Sequence, residues 1–433
     1  MQQSSQLQTA PTQAKRWTPE LRRWLDASSR VAGFDLVGLA VVGSPQEPAA
    51  QLQAARFEAW IDADRAGEMQ YLKRRDEAGV LLRSALQVAM PWARSAVVCA
   101  LNINVEAIGS APHSALRSID PAPPGSGWIA RYAWTGRALD DGLIAPTDYH
   151  QEMLARLRAI ERDLLVRADC TTRCYVDTGP ILERSVAAEA GVGWIGKNTC
   201  LIHPQLGSWI LLGVLVTSLP VDEAAVSLPA PDRCGTCTRC IDACPTGALL
   251  GSKSPTAPRS MDASRCIAYL TIEKKGPIDA SLRTSMGRQV FGCDICQDVC
   301  PWNRKASGVR IGTVDHAGIS ALRGNDTGLI QGAEASCFLP KAGALAEDSL
   351  QPRAELVNPS LDWLASLDSR EFKRHFKGSP LERTGRKRLL RNVAIAMGNS
   401  GQNRFLPQIE LWSTADDPVL AEAAQWARAR LLA

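Results

Sequence analysis

The chain has 433 residues, 45% of them hydrophobic, with a formal net charge of +4 and a sequence pI near 8.4. That length allows roughly two to three domains at ~150 residues each. No run approaches the ~18 apolar residues of a membrane helix, and so mild a positive charge neither demands nor excludes nucleic acid.

Residues 17–225 read as an α/β domain. The N-terminal stretch MQQSSQLQTAPTQAKRW lacks the basic and apolar regions of a secretory leader, so a cytoplasmic protein is expected. The apolar, β-branched runs LVGLAVV (36–42), SAVVCAL (95–101) and WILLGVLVT (209–217) predict buried strands. SIDPAPPGSGW (118–128), rich in Pro, Gly and Ser, predicts a surface loop. YHQEMLARLRAIERDLLVRA (149–168) sets Leu154, Leu157, Ile160 and Leu164 at helical spacing, an amphipathic helix against the sheet. CYVDTGP (174–180) predicts a short strand ending at a turn. Asp177 then projects from a strand end into a cleft, where such sheets bind ligands. Enclosure would desolvate its carboxyl and keep it protonated for general acid work; a turn-capping role is the plainer alternative. In GWIGKNT (193–199) two glycines permit close backbone approach, and Lys197 and Asn198 offer polar groups suited to amides or a phosphate.

The window 226–305 is dominated by cysteine. CGTCTRCIDACP places Cys234, Cys237, Cys240 and Cys244 in the spacing C-x2-C-x2-C-x3-C-P, and FGCDICQDVCP adds Cys293, Cys296 and Cys300. With the solitary Cys266 these make two sets of four. The bacterial ferredoxin run shares its first three thiolates around one 4Fe–4S cube and sends the fourth to the other. The sets are therefore Cys234, Cys237, Cys240 with Cys300, and Cys266, Cys293, Cys296 with Cys244. Structural zinc is the alternative, although zinc sites usually present two separated pairs. Thirteen cysteines in a long chain without a leader favour reduced thiols over disulfides. Cys99, Cys170, Cys174, Cys200 and Cys337 read as small buried hydrophobes.

Residues 306–355 have little periodicity and predict a loop-rich connection. From 356 to 433 short amphipathic helices suit a helical-repeat bundle, with Gly398 and Gly401 as helix-end signals. Within it, Phe372 to Asn392 carries eight Lys/Arg against one acid, Glu382. Such a patch fits a phosphate backbone, though a solvated basic face has the same composition.

These residues resemble the epoxyqueuosine reductases over nearly the whole chain. The matching blocks are GFDLVGLAVV (33–42), GEMQYLKRR (67–75), RYAWTG (131–136), DYH (148–150) and VDTGPILERSVAAEAGVGWIGKNTCLI (176–202). Both cysteine runs follow, with SRCIAYLTIE between them and CPWN at the end, and then FKGSPLERTGRKRLLRNVAIAMGN (376–399). The resemblance implies an oxidoreductase that removes the epoxide oxygen of epoxyqueuosine at the tRNA wobble position, the last step to queuosine. It implies a cobalamin in the α/β domain, two 4Fe–4S clusters, an external low-potential electron donor and a helical-repeat domain that holds the anticodon stem–loop. By the same resemblance Asp177 is the proton donor, and Arg74, Tyr149, His150, Asp177, Lys197 and Asn198 contact cobalamin. Lys373, Arg383, Arg386, Arg388 and Arg391 form the tRNA footprint, extended by Lys274 and Lys275, with Trp302 or Tyr269 near a flipped base. The protein is expected to act as a monomer.

Cobalamin enzymes with a protein ligand to cobalt often carry D-x-H-x-x-G. Here Asp148-Tyr149-His150 has Met153 at the glycine, which favours a base-off cobalt without histidine. Insertions relative to the family fall within 106–128, between RYAWTG and DYH, and between Cys244 and Cys266. Two rival readings are a cobalamin-dependent reductive dehalogenase and a non-catalytic RNA-binding ferredoxin-like carrier.

Overall fold

The computed structural model describes residues 14–104, 123, 125–252, 254, 259–305 and 350–433. The three apolar runs form strands of one sheet: β1 (Leu36–Val41), β2 (Ser95–Asn102) and β9 (Ile210–Thr217), with β6 (Thr172–Tyr175) at the far edge. Every pairing is antiparallel. β2 is nevertheless buried at all eight positions, because helices cover both faces. Its side chains alternate. Val97, Cys99 and Leu101 pack with α1 (Pro19–Val31) and α4 (Tyr149–Arg167) through Leu25, Met153, Leu157 and Ile160. Ala96, Val98 and Ala100 pack with Val186 and Ala187 of α5 (Glu183–Glu189). Gly38 on β1 lets α5 come close, since a Cβ there would sit 2.1 Å from the Ala190 carbonyl oxygen. α2 (Pro48–Asp62) and α3 (Leu86–Ala89) complete the flank.

The segment read as a surface loop behaves otherwise at its described end. β3 (Trp128–Ile129) pairs in parallel with β10 (Gln289–Phe291), Trp128 is buried, and the Gly127 N–H donates to the Pro359 carbonyl at 2.8 Å. The tryptophan's apolar area outweighs the loop-forming composition around it. The insertion before DYH is a hairpin, β4 (Thr135–Ala138) with β5 (Ile144–Pro146). β11 (Gln351–Pro352) adds to its β4 edge, so the last residues of the predicted connection belong to a sheet. Residues 306–349 of that connection, with Cys337, lie outside the described residues, as do 105–122. A further hairpin, β7 (Trp194–Ile195) and β8 (Leu201–Ile202), carries Lys197 and Asn198 in its turn.

The cysteine-rich segment is built of short helices: α6 (Arg239–Asp242), α7 (Ile267–Ile272), α8 (Ala280–Arg283), α9 (Ile295–Asp298) and α10 (Pro301–Lys305). Behind it stand α11 (Leu361–Ser366), α12 (Ser369–Phe376), α13 (Gly385–Asn399), α14 (Leu406–Ser413) and α15 (Pro418–Leu432). α12 starts with a capping box, Asp368 accepting from the Glu371 N–H and Glu371 accepting in return from the Asp368 N–H. α13 is buried all round from Leu389 to Gly398, which marks it as the central helix. Gly398 is the penultimate residue of α13 rather than its cap. It lies within α13, where a Cβ would meet the Ala427 Cα of α15 at 2.8 Å. Gly401, at φ +66°, makes the turn instead.

One core joins these parts. Trp128, Ile129 and Trp134 pack with Leu270, Val290 and Phe291 of the cysteine-rich segment and with Phe376, Leu389 and Val393 behind it. Among the described residues no helix is long and apolar enough to cross a membrane.

Candidate active site between the sheet, the thiols and the C-terminal helices

A cavity of about 1850 Å³ opens where all three segments meet. Ordinary small-molecule pockets are roughly 300–1,000 Å³, so this one suits a macrocycle together with a substrate. Tyr149, His150, Asp177 and Asn198 line it from the first segment, Cys244, Cys266, Cys293 and Cys296 from the second, and Arg383 and Arg388 from the third.

Asp177 sits two residues past β6 at φ +55°, a left-handed conformation that Asp tolerates better than most residues. Its side chain is 52% exposed, so the expected enclosure needs a bound ligand. The Tyr149 hydroxyl donates to its carboxylate, and His150 Nε2 stands 3.5 Å away. Burial, and then the charge of Asp177, hold the Tyr149 phenol well above its ordinary range, so it remains a donor. His150 is fixed in turn. Its Nδ1 is 2.8 Å from Asp148 Oδ1, and Arg383 reaches both ring nitrogens, at 2.6 and 3.1 Å, as well as the Asp148 carboxylate. Burial of Asp148 opposes ionisation, but hydrogen bonds from His150 and Arg383 prevail and hold its carboxyl down at about 2.

The thiols crowd one another closely enough to shift each other's ionisation. Burial first, and then Cys300, Cys234 and Cys237, push the Cys240 thiol up to about 12. Cys293 is raised by burial and by Cys266 and Cys244, and Cys296 by its hydrogen bond with Cys200, by burial, and by Cys293 and Cys266. Crowded thiols of this kind ionise only against a positive partner. Among the described residues no three His, Cys, Asp or Glu side chains converge as ligands of a single ion do. The second expected set lines the cavity and the first does not. Cys200 departs from the small-hydrophobe expectation, since it lines the cavity beside Cys296, while Cys99 is buried as expected.

Several expected ligands lie elsewhere. Arg74 is exposed and does not line the cavity. Lys197 is buried and its Nζ donates to the Gly235 carbonyl at 2.8 Å, tying the β7–β8 turn to the first cysteine loop. Asn198 does line the cavity, and its buried Nδ2 has no hydrogen-bond partner among the described residues. Trp302 packs edge-on against Trp194 at 5.1 Å, away from the cavity, whereas Tyr269 lines it.

The basic run divides as well. Lys373, Arg374, Lys377 and Lys387 are exposed. Arg386 donates to the Leu367 carbonyl, and Arg388 to those of Thr384, Ile272 and Arg383. Arg391 is 1% exposed and donates to the carbonyls of Leu270, Lys274 and Gly276. It is a brace in the core and is withdrawn from the phosphate footprint. Residues that sequence reasoning passed over include Arg83, Glu183 and Arg184, all lining the cavity. Glu183 and Arg184 stand in the block that supplied Asp177, seven residues or fewer beyond it.

Comparison with known proteins matches this arrangement. Residues 233–303 fit the family model for a 4Fe-4S double cluster binding domain, and residues 83–178 fit that for Epoxyqueuosine reductase QueG, DUF1730. The epoxyqueuosine reductase of Xanthomonas campestris is 37% identical over 305 residues, 70% of each chain. That of Pseudomonas aeruginosa is 32% identical over 398 residues, 90% of this chain and 88% of the relative. A crystal structure of epoxyqueuosine reductase with an epoxyqueuosine-modified tRNA-Tyr stem loop superposes with a TM-score of 0.70 at 25% identity, covering 95% of this chain and 90% of that one. The Bacillus subtilis epoxyqueuosine reductase, solved with its catalytic aspartate loop swung out of the active site, gives 0.68 at 25% identity, over 95% of this chain and 90% of its own. By sequence and by fold, the chain belongs to the epoxyqueuosine reductase family.

Proposed function

We propose that this protein reduces the epoxide of epoxyqueuosine in tRNA to the alkene of queuosine, with two 4Fe–4S clusters, a cobalamin in the cavity and Asp177 as proton donor. The observation that carries the reading is that the thiols Cys244, Cys266, Cys293 and Cys296 line the same cavity as Asp177. A cluster on those thiols would adjoin the reaction space, and one on Cys234, Cys237, Cys240 and Cys300, which do not line the cavity, would pass it electrons from an outside low-potential donor.

The cavity residues fit a corrin. Its volume exceeds what a small metabolite fills, and the Asn198 amide offers an unused donor for a corrin side-chain amide. When bound, a reduced corrin cobalt supplies the low-potential electrons that no side chain can. His150 lines the cavity but is engaged by Asp148 and Arg383, so it would face a bound corrin without being free to bind cobalt. The Tyr149 hydroxyl orients the Asp177 carboxyl toward the cavity, where a protonated Asp177 meets the alkoxide that opening of the epoxide releases. We read α11–α15 as the helical repeat that holds the stem–loop, with Lys373, Arg374, Lys377 and Lys387 on phosphates and Arg383 at the cavity mouth. A relative solved with a modified tRNA stem loop supports such a stem–loop as the partner.

The test is anaerobic turnover of an epoxyqueuosine-containing anticodon stem–loop by wild type and Asp177→Asn. Wild type should yield queuosine, and the variant should bind normally but lose roughly 10²–10⁴-fold in rate. No queuosine from wild type overturns the assignment, and full activity in the variant removes Asp177 from the mechanism.

A further inference from the structure

Reduction of an epoxide to an alkene breaks both C–O bonds, takes two electrons from the low-potential donor, and releases the oxygen as water. Water carries two protons and one carboxyl delivers one, so a second acid is needed in each turnover. We infer that Glu183 is that acid, delivering the second proton to the oxygen that Asp177 has protonated first. This rests on the reading of Asp177 given above.

Glu183 opens α5, six residues beyond Asp177, and lines the same cavity. Its Oε1 is buried and has no hydrogen-bond partner among the described residues. The two arginines whose charge it feels are occupied elsewhere. Arg83 donates to the Ile181 carbonyl at 3.0 Å and Arg184 to that of Thr199. A carboxylate with one buried oxygen unpaired, set beside another carboxylate, is costly, and holding a proton removes that cost. Burial first, and the charge of Asp177 second, raise its carboxyl to about 7, against the smaller opposing effects of its own backbone N–H, Arg83 and Arg184. The remaining titratable neighbour is Tyr71, pushed up to about 12 by burial and the surrounding acids, so it stays a neutral phenol. Asp177 at the exposed wall and Glu183 at the buried one therefore form a pair of acids facing one reaction space. Both are reprotonated from solvent before the next turnover.

The experiment compares wild type, Glu183→Gln, Glu183→Asp and Asp177→Asn in single-turnover reduction of the modified stem–loop across pH 5–9. Infrared titration of the carboxyl C=O band accompanies it. Wild-type rate should fall as pH rises through about 7. Glu183→Gln should lose about 100-fold at pH 6 and the associated ionisation, while binding the stem–loop as wild type does. Glu183→Asp should recover part of the rate, and the wild-type minus Glu183→Gln difference spectrum should show one protonated carboxyl titrating near 7, leaving only the band of Asp294, which burial and Asp298 also raise to about 7. Wild-type rate and pH profile in Glu183→Gln, with Asp177→Asn inactive, would overturn the role of Glu183 alone. A fully active Asp177→Asn or an inactive wild type would instead overturn the reading beneath it. A folded Glu183→Gln whose carboxyl bands match those of wild type in number and intensity would also exclude Glu183, whatever its rate.

Discussion

At the scale of single residues, the same side chain type serves opposite ends within one basic run. Burial, and then Arg388, lower the Arg391 guanidinium to about 10, so it remains a cation at neutral pH while bonded to three backbone carbonyls. Arg391→Met would leave those carbonyls unsatisfied in the core and should cost about 2–4 kcal/mol in urea unfolding. Lys373→Ala should leave stability within about 0.5 kcal/mol, yet reduce the salt dependence of stem–loop binding by about one unit of slope. Equal stability losses in the two variants would refute this division. Counting charges could not separate the two residues. The neighbouring string LLRNVAIAMG could have, because all its positions but Arg391 and Asn392 are apolar or glycine. Asp177 was legible because strand, turn and carboxylate fall in one short string. Glu183 was not, since its significance lies in a missing partner that only packing reveals.

Among the elements, α4 and the 3-10 turn at Pro380–Arg383 are joined by one ion-paired cap. Asp148 accepts from the His150 N–H at the start of α4 and also binds Arg383, so it links the wall of the cavity to the C-terminal segment. A carboxyl lowered from 3.8 to about 2 on folding contributes stability that is present above about 4 and lost as pH falls through 2. Asp148→Asn should therefore be less stable than wild type by about 2 kcal/mol at pH 7. The two denaturation curves should converge toward pH 2. A gap unchanged down to pH 2 would mean that the charge is not its source. The strands and long helices were readable from period and β-branching, as β1, β2, β9 and α4 attest. The β3–β10 pairing and the β11 strand were not. They are two or three residues long and joined across more than 150 positions of sequence, where local pattern carries no information.

For the whole molecule, the sequence suggests successive domains, but the cysteine-rich segment and the C-terminal helices share one core. That sharing places the reaction space between a cluster-binding wall, an acid-bearing wall and a basic entrance. Iron analysis with electron paramagnetic resonance on anaerobically prepared wild type and Cys266→Ala tests this organisation most directly. The account predicts about eight iron atoms per wild-type chain and about four in the variant, which should no longer reduce the modified stem–loop. About two zinc atoms and negligible iron in the wild type would contradict it.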